Sequence, residues 1–285
     1  LEGGVLLKIA VVPNLTKESA QACTDEALRV LAGCGCETVL KTDLFTSQGV
    51  YQERVEDSLL SCDLFIAIGG DGTIIHTAKL AASLGKPILG INAGTLGFTA
   101  GLERHELGLL PRLVQGEYRE ERRRMLSVEL ESQKGASQSF YALNDAVLSG
   151  EPAKIIDYQM VLGSRSYRYR ADGFIVATPT GSTAYSLSAG GPVIEPSMDC
   201  LVYTPICPHS LFDRSILFSP QSQLVIQIPE NTGRLYLSVD GETPLEVFTG
   251  DLLRFRQADR FARFIRLGGR NFYDILNQKI IETRQ

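Results

Sequence analysis

The sequence predicts an α/β N-terminal domain built on a parallel sheet, then a β-rich, sandwich-like C-terminal domain, with a C-terminal helix that packs back on the N-terminal domain. Three observations predict this. Up to about residue 100, short apolar runs alternate with helical segments. Beyond about residue 123 the runs shorten, take on period-two character and are separated by frequent turns. The tail then closes on an amphipathic segment from about Phe272. The expected divisions are 1–122, 123–267 and 268–285.

Element by element, "LLKIAVV" is a buried strand, an apolar run of the kind used by a sheet covered on both faces. "KESAQACTDEALRVLAGCG" places Ala22, Ala27, Leu28 and Leu31 at helical spacing and stops at glycine. "ETVLKT" is a second strand, and "SLLSCDLFIAIGG" carries a third ending at Ile68 or Gly69. A helix from about Thr73, "TIIHTAKLAASLG", and a fourth strand, "KPILGIN", follow. Such alternation implies a parallel sheet, where ligands gather beyond the carboxyl ends of the strands. "EYREERRRMLSVELES" begins charged and then alternates, so Arg119 and Arg122 to Arg124 read as a solvated connector. "SFYALNDAVLSG", "IDYQMVLG", "SYRYRADGFIVATP", "SQLVIQIP", "RLYLSVDGE" and "LLRFRQ" supply the antiparallel strands, with Asp240-Gly241-Glu242 as a hairpin turn. In the last helix Phe272, Ile275, Leu276, the Lys279 stem and Ile280 form the face that packs.

The 285 residues are 44% hydrophobic and 21% charged, enough to build a sizeable core. A net charge of −5 argues against non-specific nucleic-acid binding. No apolar run approaches the roughly 20 residues that span a bilayer. The opening "LEGGVLLKIAVV" lacks a basic n-region and does not read as a signal peptide. Six cysteines, at 23, 34, 36, 62, 200 and 207, show neither zinc-finger spacing nor a disulfide framework. The expectation is a cytoplasmic protein with reduced thiols and no nucleic-acid or membrane partner.

Three segments could carry chemistry. In "IAIGGDGTIIHTA", Gly69, Gly70 and Gly72 strip side chains from a strand-to-helix turn, where backbone N–H groups can cradle a phosphate. Neither a Walker A loop nor an intact G-x-G-x-x-G is present, and Asp71 would be odd there unless it binds a hydroxyl, a proton or a metal. Asp-Gly is also ordinary turn chemistry, and this segment alone leaves both readings open. "GINAGTLGFTA", with Asn92, Gly94, Thr95 and Gly97, follows the next strand and by itself is equally a tight connection or a ligand loop, but two glycine loops at successive strand ends favour one shared cleft. "YRADGFIVATPTGSTAYSLSAGGPVIEP" is the most informative segment. Its hydroxyls on Thr178, Thr180, Ser182, Thr183, Tyr185, Ser186 and Ser188 can offer donors and acceptors to a sugar or amide, or satisfy their own backbone. It lacks the G-x-S-x-G of a nucleophile elbow, so these are recognition residues. In "ALNDAVLSG", Asn144 and Asp145 lie at a strand position or edge and can read ribose hydroxyls or a base edge, although taken alone the segment reads rather as a hairpin turn. His76 and His209 read as structural.

"GGDGT", "NAGTLGF", "ALNDAVLSG" and "DGFIVATPTGSTAYSLSAGGP" occur in the order seen in NAD kinases, and "IRLGGRNFYDILNQKI" resembles that family's C-terminus. The likeness covers about Ile9 to Ile280. It implies transfer of the γ-phosphate of ATP to the 2′-hydroxyl of the adenosine ribose of NAD, giving NADP, with magnesium (Mg2+) carried by ATP rather than by a protein metal site. It further implies a homodimer or homotetramer. By motif, Asp71 resembles the catalytic aspartate, with Gly70, Gly72 and Thr73 in the phosphate-facing turn. Phe98, Asn144, Asp145, Arg170, Asp172, Thr183, Ala184, Tyr185, Ser188 and Glu242 match nucleotide-contacting positions. Many members carry Asn-Glu where this chain has Asn144-Asp145. The rival readings are a lipid or sugar kinase that shares the phosphate turn, and a non-catalytic dinucleotide-binding regulator.

Overall fold

The computed structural model describes residues 6–46, 49–50, 56–94, 97–133, 135–210, 213–229 and 233–282, without the side chains of 46, 49, 50 and 280–282. Two units are present, one of residues 1–122 with 262–285 and one of 123–261.

The first unit is built on parallel strands β1 (Lys8–Pro13), β2 (Glu37–Leu40), β3 (Leu64–Gly69) and β4 (Pro87–Asn92), in the order β2-β1-β3-β4. The register pairs Ile9 with Thr38 and Leu64, and Phe65 with Ile88. Strands β1, β3 and β4 are apolar runs because helices cover the sheet. Helix α1 (Glu18–Gly33) buries Ala20, Cys23, Ala27 and Leu31, one stripe at helical spacing, against Ile9, Val11, Ile66 and Ile68. Helix α2 (Asp71–Ser83) is more enclosed, burying Ile74, Ile75, Ala78, Leu80 and Ala81. The chain steps from β1 outward to β2, then to the other side of β1 for β3. The carboxyl ends of β1 and β3 are therefore a topological switch point, where open α/β sheets place ligands.

Helix α3 (Phe272–Glu282) returns to this unit. The Phe272 ring lies 5.9 Å from that of Phe98, Lys279 Nζ sits 4.5 Å over the Phe98 ring, and Ile275 is buried. The expected packing of the tail is thus present through Phe272 and Ile275, while the Ile280 side chain lies outside the described residues.

The second unit is all antiparallel. Its six-stranded sheet runs in the order 216–218, 201–206, 173–177, 145–150, 235–239 and 245–247. Strands 165–171, 156–162, 224–227 and 252–255 pair with one another in succession in a second sheet packed against it. Tyr158, Met160, Ile226 and Phe255 share one buried core with Leu148, Phe174, Val176, Tyr203 and Leu237, so side chains of both sheets fill a sandwich interior.

Two expectations need correction. Residues 119–131 form a continuous strand, not a solvated connector, and Arg123 is buried. Its charges are tolerated because they are paired. Glu120 and Glu121 meet Arg263 and Arg266, while Arg124 meets Asp199 at 3.1 Å and stacks on Phe261 at 4.3 Å. Asp145 opens a strand, one of the positions the sequence allowed, but that strand is flanked on both sides, by 173–177 and 235–239, so the edge and hairpin-turn readings fall.

Candidate functional site

The glycine turn is tighter than the sequence suggests. Strand β3 runs through Gly69, Gly70 is the extended helix N-cap, and α2 begins at Asp71 rather than near Thr73. The helix starts early because the Asp71 side chain is taken up elsewhere and does not cap it. Gly70 supplies no side-chain cap, and Ile74 N–H is the first to find an acceptor, Gly70 O at 3.1 Å. The helix therefore keeps the N–H groups of its first turn, and the positive end of its dipole, for an anion.

Asp71 is held by the second glycine loop. Its Oδ2 accepts from Phe98 N–H at 3.0 Å, and its Oδ1 accepts from Thr99 N–H at 3.2 Å and from the Thr99 hydroxyl. The two glycine loops are thus joined through one carboxylate, as a shared cleft requires. Of about four acceptor positions on a carboxylate, three are used and one remains on Oδ2. Gly97 makes this approach possible, since a Cβ there would stand 2.2 Å from Asp71 Oδ1. Asn92 braces the loop, with Oδ1 accepting from Gly94 N–H at 3.0 Å and Nδ2 donating to Glu103 at 2.9 Å. Thr95 lies outside the described residues.

The β1–α1 loop adds what the sequence reading missed. Asn14 Nδ2 donates to Thr73 Oγ1 at 3.2 Å, tying that loop to the buried Thr73. Lys17 Nζ hangs over the turn, 3.0 Å from where a Cβ on Gly70 would be. A cation at the glycine turn is absent from "GGDGT" itself. It comes from 53 residues earlier (70 − 17), and only the parallel pairing of β1 with β3 brings it there. His76 packs beside Phe45, with ring centroids 6.4 Å apart.

In the second unit the hydroxyl-rich segment sorts itself by burial. Thr178, Thr180, Ser182 and Ser186 are buried. Thr178 donates to Leu143 O at 2.6 Å, Ser182 to Pro179 O at 2.7 Å, and Ser186 bonds Thr204 at 2.9 Å. These hydroxyls satisfy the fold. Four of the seven hydroxyl residues expected to face a ligand are therefore structural, whereas Thr183 and Ala184 are half-buried and Tyr185, Leu187 and Ser188 are exposed. Arg170 is exposed and pairs with Asp157 at 3.5 Å, and the Asp172 carboxylate is exposed while its N–H donates to Ile206 O at 3.0 Å. Glu242 is half-buried in the turn after 235–239, its N–H donating to Val239 O at 3.0 Å.

Asn144 is half-buried and Asp145 buried. Burial, reinforced by the nearby charge of Asp240, pushes the Asp145 carboxyl up to about 7 from its ordinary 3.8. The folded chain therefore holds this proton more tightly than the unfolded one. The associated stability is full below the ordinary carboxyl range and is lost as pH rises towards 7. Against Asp145→Asn, which cannot titrate, the parent is expected to lose ground between pH 4 and 7 by at most about 1.4 kcal/mol per pH unit, and none beyond. Urea unfolding of both proteins at pH 5 and pH 8 checks this, and a constant difference would contradict it.

Known proteins agree with this layout. The model of the ATP-NAD kinase N-terminal domain matches residues 9–118, and that of the ATP-NAD kinase C-terminal domain matches 143–267. The NAD kinase of Symbiobacterium thermophilum is 41% identical over 97% of this chain and 99% of its own length, and that of Geotalea daltonii is 38% identical over 96% and 98%. The crystal structure of an NAD kinase from Archaeoglobus fulgidus in complex with ATP aligns with a TM-score of 0.74 and 25% identity, covering 96% of this chain and 98% of that one. Yeast NADH kinase complexed with NADH shares the fold at a TM-score of 0.81 and 23% identity, covering 95% and 86%.

Proposed function

The chain belongs to the NAD kinase family and is an NAD kinase, and we propose that it moves the γ-phosphate of ATP to the 2′-hydroxyl of the adenosine ribose of NAD through Asp71. The observation that carries this reading is the Asp71 carboxylate, fixed by Phe98 N–H, Thr99 N–H and the Thr99 hydroxyl, with one acceptor position left on Oδ2. A ribose hydroxyl is a poor nucleophile, and phosphoryl transfer asks mainly for alignment, charge neutralisation and a proton acceptor. Asp71 Oδ2 takes the hydroxyl proton as the new O–P bond forms and the bond from the γ-phosphorus to the β–γ bridging oxygen breaks, releasing ADP. The N–H groups of Gly72 and Thr73, at the start of α2, hold phosphate oxygens. Phe98, Asn144, Asp145, Arg170, Asp172, Thr183, Ala184, Tyr185, Ser188 and Glu242 bind and orient the nucleotide.

Among the described residues no three His, Cys, Asp or Glu side chains converge as metal ligands. We assign Mg2+ to the phosphates of ATP, where it neutralises charge on the transferred group. The enzyme is proposed to work as a homodimer or homotetramer in the cytoplasm. No helix among the described residues is long and apolar enough to cross a membrane.

Lys17 joins the donor side as a cation over the glycine turn. Lys17→Met is expected to raise KM for ATP about tenfold or more, the loss of a charge-assisted hydrogen bond, and to leave KM for NAD within about twofold. Steady-state kinetics with each substrate varied in turn checks this. The function itself is tested by incubating the chain with NAD, ATP and Mg2+. NADP and ADP are expected in equal amounts, and EDTA is expected to stop both. ADP without NADP, or phosphorylation of a lipid or sugar instead, would overturn it.

A further inference from the structure

Asp240 sits in the hairpin turn between strands 235–239 and 245–247 with φ +49°, followed by Gly241 at +71°. Both are left-handed, the geometry of a tight primed turn, and Asn or Gly would suit that backbone as well as Asp. The turn therefore does not explain the carboxylate. Its hydrogen bonds do. Oδ2 accepts from Leu143 N–H at 2.8 Å, while Oδ1 accepts from Asn144 N–H at 2.8 Å and from Asp145 N–H at 3.1 Å. Three consecutive backbone donors converge on one side chain, an anion nest filled by the protein itself. The Asp240 N–H returns a fourth bond to Asp145 O at 2.9 Å.

The same short stretch is gripped from the other side. The Thr178 hydroxyl donates to Leu143 O at 2.6 Å and Thr178 N–H donates to Asn144 O at 2.8 Å. Gly181 comes so close that a Cβ there would stand 2.1 Å from Asn144 O. The backbone of 143–145 is thus clamped at nearly every polar atom. The Asn144 and Asp145 side chains, by contrast, have no hydrogen-bonding partner among the described residues. A pair of polar side chains left open on a fully fastened backbone is arranged to meet a ligand in one geometry.

We propose that Asp240 is the positioning residue of the nucleotide-reading pair Asn144–Asp145, holding it in the geometry that binds NAD. This rests on the assignment of that pair to NAD binding. Asp240 acts through backbone, with N–H donors on both carboxylate oxygens, so an amide cannot replace it. Asn at this position keeps the left-handed turn but turns one acceptor into a donor, leaving a buried N–H of 143–145 without a partner. It also removes the charge that acts on Asp145, so the pH at which Asp145 gains its proton moves down.

The test compares the parent with Asp240→Asn and Asp240→Gly by NADP formation and by calorimetric titration with NAD, from pH 6 to 8.5. Asp240→Asn is expected to weaken NAD binding and raise KM for NAD by about tenfold, with KM for ATP within about twofold. Its NAD affinity should also change with pH at a lower pH than in the parent, a shift that a merely structural defect would not produce. Asp240→Gly, which keeps the turn and loses all three bonds, is expected to weaken NAD binding further. If Asp240→Gly does not fold, Asp240→Asn carries the test. Parental NAD affinity and pH profile in Asp240→Asn, or equal rises in both KM values, would overturn the assignment. A parent that makes no NADP would instead overturn the functional reading beneath it.

Discussion

Asp71→Asn is expected to bind NAD as the parent does and to lose about 10²–10⁴-fold in turnover, the usual range for a general base. The amide keeps the shape of the carboxylate. Its carbonyl oxygen can still accept from Thr99 N–H and the Thr99 hydroxyl on the Oδ1 side. The Oδ2 side is where the change falls, because an NH2 there faces Phe98 N–H and offers the ribose hydroxyl no basic lone pair. The second glycine loop stays attached on one side, so folding should survive while proton acceptance does not. Stopped-flow or steady-state turnover, set beside calorimetric NAD binding, reads the two effects separately. Near-parental turnover would remove Asp71 from its role.

Gly97→Ala is expected to reproduce much of that loss without changing the chemistry of any polar group. The added methyl would stand 2.2 Å from Asp71 Oδ1 and 2.6 Å from Asp71 Cγ, so either the carboxylate or the loop must move. The loop is fastened at Phe98 and Thr99 to that carboxylate, and Thr99 O further accepts from Arg266 at 3.1 Å. The carboxylate therefore swings away, and its three donors lose their acceptor. Turnover should fall about a hundredfold or more, since an ångström of misplacement at a reacting group costs that much. Stability should fall by about 1–3 kcal/mol for the donors left unpaired. The two substitutions act on one group, so Gly97→Ala/Asp71→Asn should be scarcely slower than Asp71→Asn alone. Additive losses would show that Gly97 serves something other than Asp71.

The division of labour between what the residues declare and what only the fold reveals follows from range. Apolar runs and helical spacing declare β1, α1, β3, α2 and β4 because these are local patterns, and turn chemistry declares the Asp240-Gly241 hairpin for the same reason. Glycine loops after successive strands point to one cleft, since parallel strands bring their carboxyl ends together. Lys17 over Gly70 escaped notice because nothing local in "NLTKES" distinguishes that lysine from a solvated one. Asp240 escaped for the opposite reason, a sufficient local explanation as a turn residue that hid three bonds to residues about a hundred positions away. The arginines of 119–131 read as solvated connector because their partners, Glu120 with Arg263 and Arg124 with Asp199, are matched only across strands and loops. Among the hydroxyls of "TPTGSTAYSLSAGG", the sequence cannot say which point inward, and burial alone separates Thr178, Ser182 and Ser186 from Thr183, Tyr185 and Ser188.

The most direct test of Asp71 acting on a ribose hydroxyl is the position of the transferred phosphate. Phosphorus NMR of the product from NAD, ATP and Mg2+ should show one new phosphomonoester on C2′ of the adenosine ribose, and an NADP-specific dehydrogenase should reduce that product completely. The same signal should be missing when Asp71→Asn is given the same time. A phosphate on C3′ or on the nicotinamide ribose, or an undiminished C2′ signal from Asp71→Asn, would contradict the account.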